Sequence, residues 1–182
     1  MIYKAEEAKD RKGDSCILRS LEEDDAYALS EFVRKGATES PFFPWTPGET
    51  DLNYENAAEY ICEFKNDERR ALIGVFRDSR LVALIELSNY GKWESMRHRA
   101  TIGMAVLMEA QKRGLSRIML IAAMNAARAA GYEQLESNAA TNNESSCAAL
   151  AGFGFEEYGI SPHKHKNKDG TYLDERRFVK WI

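Results

Sequence analysis

The chain has only three cysteines, Cys16, Cys62 and Cys147. The number is odd and no C-x-x-C pair occurs, so neither a disulfide framework nor a zinc knuckle is indicated, and reduced thiols in a cytoplasmic protein fit best. Proline and glycine are sparse, 4 and 12 of 182 residues, too few for collagen or a flexible array. No stretch approaches the ~18 apolar residues of a membrane span. Residues 1–14 are charged and lack the apolar core of a secretory signal. Membrane contact is therefore not expected. Internal repeats and low-complexity tracts are missing as well. So is a basic excess: 25 Lys and Arg stand against 29 Asp and Glu, a formal charge of −4. That balance argues against a chain built to coat nucleic acid and leaves room for a local basic site.

What remains is enough for one folded domain. Hydrophobic residues make up 44% and aromatics 10%, and a chain of this length buries about 70% of its extended surface on folding. We read residues 1–14 as an N-terminal extension and 15–182 as the domain. Cys16 to Arg19 predicts a short strand. Ser20-Leu21-Glu22-Glu23 has the form of a capping box, opening a helix with Ala26, Leu29, Phe32 and Val33 on one stripe and Gly36 as its stop. Between Ala37 and Leu52, Pro41, Pro44 and Pro47 among Phe42, Phe43 and Trp45 exclude regular structure. A second helix is expected from about Tyr54 to Lys65. Ala71–Phe76 and Leu81–Leu87 form a hairpin about Asp78-Ser79-Arg80, and Ala100–Val106 is a further strand. Leu115 to Ala130 is a strongly patterned helix stopped by Gly131. Leu135–Ala139, Glu156–Ile160 and Tyr172–Trp181 are strands, and Glu144–Ala151 is a short helix. The order predicts an α/β domain on a mixed sheet.

The junction from Ala100 to Ala130 carries the chemistry. Between strand and helix stands Gln111-Lys112-Arg113-Gly114-Leu115-Ser116. A helix start leaves about four backbone N–H groups unpaired, and its dipole favours an anion. Gly114 removes a Cβ from the approach, and Lys112, Arg113 and Arg117 add cations. Phosphate or diphosphate is the ligand chemistry this suits. A Walker loop and the dinucleotide fingerprint are both absent. The same pattern also describes a solvated basic turn before an amphipathic helix.

The order of motifs resembles the GNAT superfamily of acetyl-CoA-dependent N-acyltransferases. Gln111, Gly114 and Ser116 fill its [RQ]-x-x-G-x-[GA] signature, with Ser at the last place. Ile102-Gly103-Met104-Ala105-Val106-Leu107 resembles the central strand. Asn143-x-x-Ser146 and Gly154-Phe155-Glu156-x-x-Gly159 resemble its downstream segment, and Gly170-x-Tyr172-x-Asp174 the run-in to its last strand. The resemblance implies a mostly antiparallel mixed sheet of about seven strands with four helices, whose central strand bulges and splays from the next. It implies that Met104, Ala105 and Val106 offer backbone groups to pantetheine, with the Val106 N–H polarising the thioester carbonyl. Backbone N–H groups from Gln111 through Lys112, Arg113, Gly114 and Leu115 to Ser116 would hold the diphosphate. Asn143 and Ser146 would face the cofactor; Asn143 also suits a plain helix cap. No metal is implied.

Two places depart from the family pattern: Leu150 stands where a tyrosine often serves as acid, and Thr101 where an acidic base often stands. Glu86, on the neighbouring strand, is our candidate base, with a loop-facing carboxylate as the other reading. Tyr158 and Tyr172 are candidate replacement phenols or packing groups. Cys147 reads as a core thiol, His98 as a solvated loop residue, and His163 and His165 as part of a hairpin loop. The aromatic loop with Tyr90 and Trp93 suits an amine pocket, lid packing or a homodimer contact. The expected activity is direct acetyl transfer from acetyl-CoA to a small-molecule or peptide primary amine. A non-catalytic acetyl-CoA sensor of the same fold is the alternative, and a binder of another phosphate ligand the third reading.

Overall fold

Residues 15–20 alternate in burial as a half-exposed strand does, residues 71–76 and 81–85 are apolar runs buried on both faces, and 3.6-residue stripes make the helices that cover them. A computed structural model of the chain describes residues 1–43, 52–166 and 169–182. Strands are β1 (Glu6–Lys9), β2 (Ser15–Ser20), β3 (Ala71–Arg77), β4 (Arg80–Asn89), β5 (Arg99–Val106), β6 (Gln134–Ala140), β7 (Glu156–Lys166) and β8 (Tyr172–Trp181). Helices are α1 (Ala26–Glu39), α2 (Tyr54–Lys65), α3 (Leu115–Ala129) and α4 (Glu144–Gly152). Among the described residues the strands form one eight-stranded sheet in the order β1-β2-β3-β4-β5-β6-β8-β7. Every neighbouring pair is antiparallel except β5 and β6.

The sheet divides the core. On one face Ile73, Ile85, Ala100, Ile102 and Leu135 pack with Met119, Leu120 and Ala123 of α3 and Leu150 of α4. On the other, Leu72 and Leu84 pack with Leu29 and Phe32 of α1 and Ile61 and Phe64 of α2. The β3–β4 hairpin closes through Asp78 and Ser79, both at positive φ (49° and 61°), the backbone of a tight two-residue turn whose twist matches its strands.

The structure departs from the sequence reading in four places. An added strand, β1, pairs with β2 through Glu6–Leu18 to Lys9–Ser15, where residues 1–14 gave no alternating pattern. The helix start lies later than the Ser20 motif. The Asp25 carboxylate, not Glu23, accepts the Glu22 N–H (2.8 Å) and grips Arg19. The Ser20 hydroxyl instead accepts the Tyr3 N–H at 2.8 Å. Helix α1 continues three residues past Gly36, because that glycine is a contact point and not a stop: a Cβ there would lie 2.0 Å from the Phe43 ring. Strand β7 runs on to Lys166, paired with β8 through a register break. Pro44, Trp45 and Pro47 lie outside the described residues.

Leu150, at the place of the family's tyrosine, is wholly buried on the α3 face of the sheet. It is a core residue, and a phenol has no room there. Leu150→Tyr is therefore expected to lower stability by about 1–3 kcal/mol through overpacking. Urea denaturation checks it; an equally stable variant would show that the site is wider than this packing allows.

Candidate active site

Strands β5 and β6 run side by side only through Arg99–Gln134, Ala100–Leu135 and Thr101–Glu136. Beyond those pairs β5 stays with β4 and β6 stays with β8. The two parallel strands splay, and a gap opens between Ile102–Val106 and Ser137–Ala140. The register of β5 against β4 is unbroken from Ala83–Val106 to Asn89–Ala100. The expected bulge of the central strand is therefore not found; the gap comes from the end of β6 pairing alone.

The direction of each β5 backbone group follows from its two ends. Arg99 O accepts from Tyr90 N (3.3 Å), and Leu107 N donates to Val82 O (3.0 Å). Backbone groups alternate sides along a strand. Gly103 and Ala105 therefore also face β4, while Ile102, Met104 and Val106 face the gap. Side chains confirm the alternation: Ser137 Oγ donates to Ile102 O (3.0 Å), and Gln111 Nε2 donates to Val106 O (3.2 Å). The N–H of Met104, its carbonyl and the N–H of Val106 face the gap with no strand partner. Ala105 does not share this; its backbone is turned to β4, so of the three expected residues only Met104 and Val106 present main-chain groups. Half-buried polar groups left unpaired at a sheet opening are costly unless something fills them.

The gap opens toward the start of α3. Gly114 caps that helix in the left-handed region (φ 78°) and Lys112 is also at positive φ (58°). Leu115 is buried and Ser116 half-buried, while Gln111 and Lys112 are exposed. The cations are arranged differently from the expectation. Arg113 is paired with Asp10 (2.5 Å) and with Asp14, and Arg117 sits 5.5 Å over the Phe153 ring. The Arg113 guanidinium is therefore committed to carboxylates, while Arg117 stays exposed beside its ring. Asn143 caps α4, its Oδ1 accepting the Ser146 N–H at 3.2 Å. Both residues stand just beyond the end of β6, at the mouth of the same gap.

On the opposite face of the sheet Glu86 lies directly across from Gly103. Its carboxylate accepts hydrogen bonds from Tyr60 (2.6 Å) and Ser88. Burial, then the charge of Glu86, pushes the Tyr60 phenol far up, so it stays protonated and acts as a donor to Glu86. A Cβ placed on Gly103 would meet nothing within 4 Å. Open space therefore stands beside the carboxylate, one residue from the gap. Thr101 Oγ1 reaches only Ser88 O, at 3.5 Å, and has no acid function.

A second polar group lies on this face. Glu136, buried, accepts from Arg99 Nε (2.7 Å), Gln134 (2.8 Å) and Tyr158 (3.0 Å) around a cavity of about 250 Å³ that Val179 and Trp181 complete. Tyr158 is thus bound to Glu136, and burial raises its phenol. Tyr172 stacks on His163, ring centroids 4.7 Å apart. Cys147 Sγ lies 3.8 Å from Ala140 O, and burial raises its thiol, the opposite of an activated nucleophile. His98 uses its carbonyl to hold the Glu133 and Gln134 N–H groups. Among the described residues no three His, Cys, Asp or Glu side chains converge as a metal site, and no helix is long and apolar enough to cross a membrane.

Sequence reasoning passed over Tyr60, Ser88, Glu136 and the Asp10–Asp14 turn. Tyr60 had a signal: it lies four residues before Phe64, and the two rings are 5.1 Å apart. The Asp10 contact had none, since 103 residues separate it from Arg113.

A family model described as an acetyltransferase (GNAT) domain matches residues 16–156. No curated protein matches the sequence. Solved structures do match in shape. A GNAT-family acetyltransferase from Streptococcus pneumoniae is 18% identical with a TM-score of 0.86, covering 92% of this chain and 99% of its own. Ribosomal-protein-alanine N-acetyltransferase from Brucella melitensis is 22% identical, TM-score 0.81, covering 91% and 99%. The protein yncA from Salmonella typhimurium, with its cofactor acetyl-CoA, is 14% identical, TM-score 0.80, covering 91% and 93%. At these identities the likeness is one of fold.

The Asp10–Arg113 pair generates a pH expectation. The guanidinium of Arg113 first, then the N–H groups of Lys12 and Asp14, hold the Asp10 carboxyl below the usual range. A depressed carboxylate stabilises above its unfolded pKa of ~3.9 and loses that contribution as pH falls through the folded value. Asp10→Asn should melt lower than the parent at neutral pH. The difference should narrow as pH falls below about 4. A difference in melting temperature that stays constant across that fall would remove Asp10 ionisation from the account.

Proposed function

This chain belongs to the GNAT acetyltransferase family, and on that premise we propose that it moves an acetyl group from acetyl-CoA directly to a primary amine. The observation that carries the reading is the splayed gap. Its unpaired Met104 and Val106 backbone groups lie on the path to the open start of α3. They match the amides of a pantetheine arm in kind, and the helix N–H groups match a diphosphate. Bound there, acetyl-CoA would supply an activated acetyl thioester.

The chain's own groups then divide the work. Met104 N–H and C=O would hold pantetheine in the gap. Val106 N–H, a preorganised donor, would polarise the acetyl carbonyl. The backbone from Gln111 to Ser116, the exposed Lys112 and the mouth residues Asn143 and Ser146 would hold the phosphate end. Glu86 would take the proton from the attacking amine in the open space above Gly103, since a lysine-like amine has a pKa near ~10.4 and attacks only when neutral. Tyr60 and Ser88 fix the carboxylate in place for that task. Direct transfer is favoured over an acyl-enzyme because Cys147, the thiol nearest the gap mouth, is held protonated by burial. A small-molecule or peptide amine as acceptor, a homodimer and a cytoplasmic setting belong to the same proposal.

Three measurements test it. Saturating CoA should raise the melting temperature, by an amount equivalent to about 2.7 kcal/mol at a hundredfold excess over Kd; no shift would remove the cofactor reading. Glu86→Gln should lower kcat/KM by about 10²-fold, most at low pH where free amine is scarce, with CoA affinity held. A uniform loss across pH would make Glu86 structural. Gly103→Val should raise the acceptor KM and leave CoA affinity unchanged, because it fills the space beside Glu86. Equal acceptor KM in that variant would move the amine elsewhere.

A further inference from the structure

Arg113 was one of three expected phosphate cations, with Lys112 and Arg117, and the structure gives it another task. Asp10, whose side chain is 2% exposed, accepts Arg113 together with the N–H groups of Lys12 (2.8 Å) and Asp14 (3.1 Å). Asp14 takes the same guanidinium. The main chain is tied as well: Arg11 N donates to Arg113 O at 2.9 Å. The turn between β1 and β2 is thereby fastened to the loop before α3, and Arg11 sits at the tip of the junction.

The side chain of Arg11 crosses Gly114. A Cβ on Gly114 would lie 2.8 Å from Arg11 Cγ, 3.0 Å from Nε and 3.1 Å from Cδ. The room that this glycine leaves is therefore filled by Arg11, and the guanidinium stands at the α3 start. Arg11 is exposed. Among the described residues Arg113 is neutralised by two carboxylates, while the Arg11 guanidinium meets no carboxylate within ion-pair reach. With Arg113 spent on carboxylates, the arginine from the N-terminal turn joins the exposed Lys112 as a cation available to an anion at this helix start.

We propose that Arg11 contacts the diphosphate of the CoA ligand, and that the Asp10–Arg113–Asp14 pairs hold its backbone in place to do so. The inference rests on the cofactor reading above. A guanidinium offers a planar fork of donors to phosphate oxygens and stays charged at any working pH. Placed beside the backbone N–H groups of Gly114 to Ser116, it completes a site whose own arginine is spent on bracing. The diphosphate is favoured over the 3′-phosphate because Arg11 stands on the residue that caps α3, where the helix N–H groups converge.

Calorimetry with three ligands tests the assignment: CoA, 3′-dephospho-CoA and acetyl-pantetheine, which carries no phosphate. Arg11→Ala should weaken CoA and 3′-dephospho-CoA alike, by about tenfold, the size of a lost charge-assisted hydrogen bond. Acetyl-pantetheine should bind wild type and variant equally, and Arg11→Lys should recover most of the CoA affinity. Wild-type protein that binds no CoA overturns the cofactor reading and this inference with it. Normal wild-type binding with an indifferent Arg11→Ala variant overturns the role of Arg11 alone. An equal loss with acetyl-pantetheine makes the residue structural, and a loss confined to CoA moves the contact to the 3′-phosphate; either result ends the diphosphate assignment.

Discussion

Parallel pairing between β5 and β6 stops after Thr101 and Glu136, and the site is a consequence of that stop. Each strand keeps its other neighbour, so neither frays. The cost is confined to the inner edges, where backbone groups lose partners. The chain meets part of that cost with two side chains, Ser137 on Ile102 O and Gln111 on Val106 O. It leaves the Met104 groups and the Val106 N–H between them. One end closed at Ile102 and the other open toward α3 make a slot with fixed polar groups. Because the β4–β5 register is continuous, those groups are aimed by ordinary strand alternation and need no bulge.

The same slot separates two chemical environments. Toward the starts of α3 and α4 it meets N–H groups and cations, which suit phosphate. On the α1–α2 face it meets Glu86, with Glu136 two strands away, which suit an ammonium and its proton. A sheet is thin enough for one backbone to address both faces. Gly103 shows the economy of this: its backbone bonds to β4, its missing side chain leaves open space beside Glu86, and its neighbours Ile102 and Met104 turn to the gap.

Much of this was legible in the sequence because the signals were local. Helix α2 and strand β8 fall where their periodicity put them, and the α3 start was marked by Gly114. Glu86 stood out as a carboxylate in an apolar strand. What stayed hidden was pairwise and distant. The splay is a property of which strands stop pairing; the resemblance implied it, whereas the bulge implied with it has no counterpart in the continuous β4–β5 register. The inclusion of Ala105 failed for a related reason, since side-of-strand parity needs both strand ends. Gly36 misled because glycine marks a helix stop and a close contact with the same letter.

The charges near α3 carry the last step. A local count of Lys112, Arg113 and Arg117 suggested a strongly basic loop, yet Arg113 is neutralised by carboxylates and Arg117 leans over a ring. A free arginine at a helix start would be mobile, and ordering it on a ligand costs about 1.5–2 kcal/mol of rotamer freedom. The bracing pairs order Arg113 on folding, and they fix the backbone of Arg11 so that only its exposed side chain would be ordered on binding. They also bring the β1–β2 turn, and Arg11 with it, onto the loop. The segment read from the sequence as an N-terminal extension is thus joined to the loop by two ion pairs and a main-chain hydrogen bond. Removing it would withdraw a cation and leave the Arg113 charge unpaired at the positive end of a helix, where a second positive charge is least welcome.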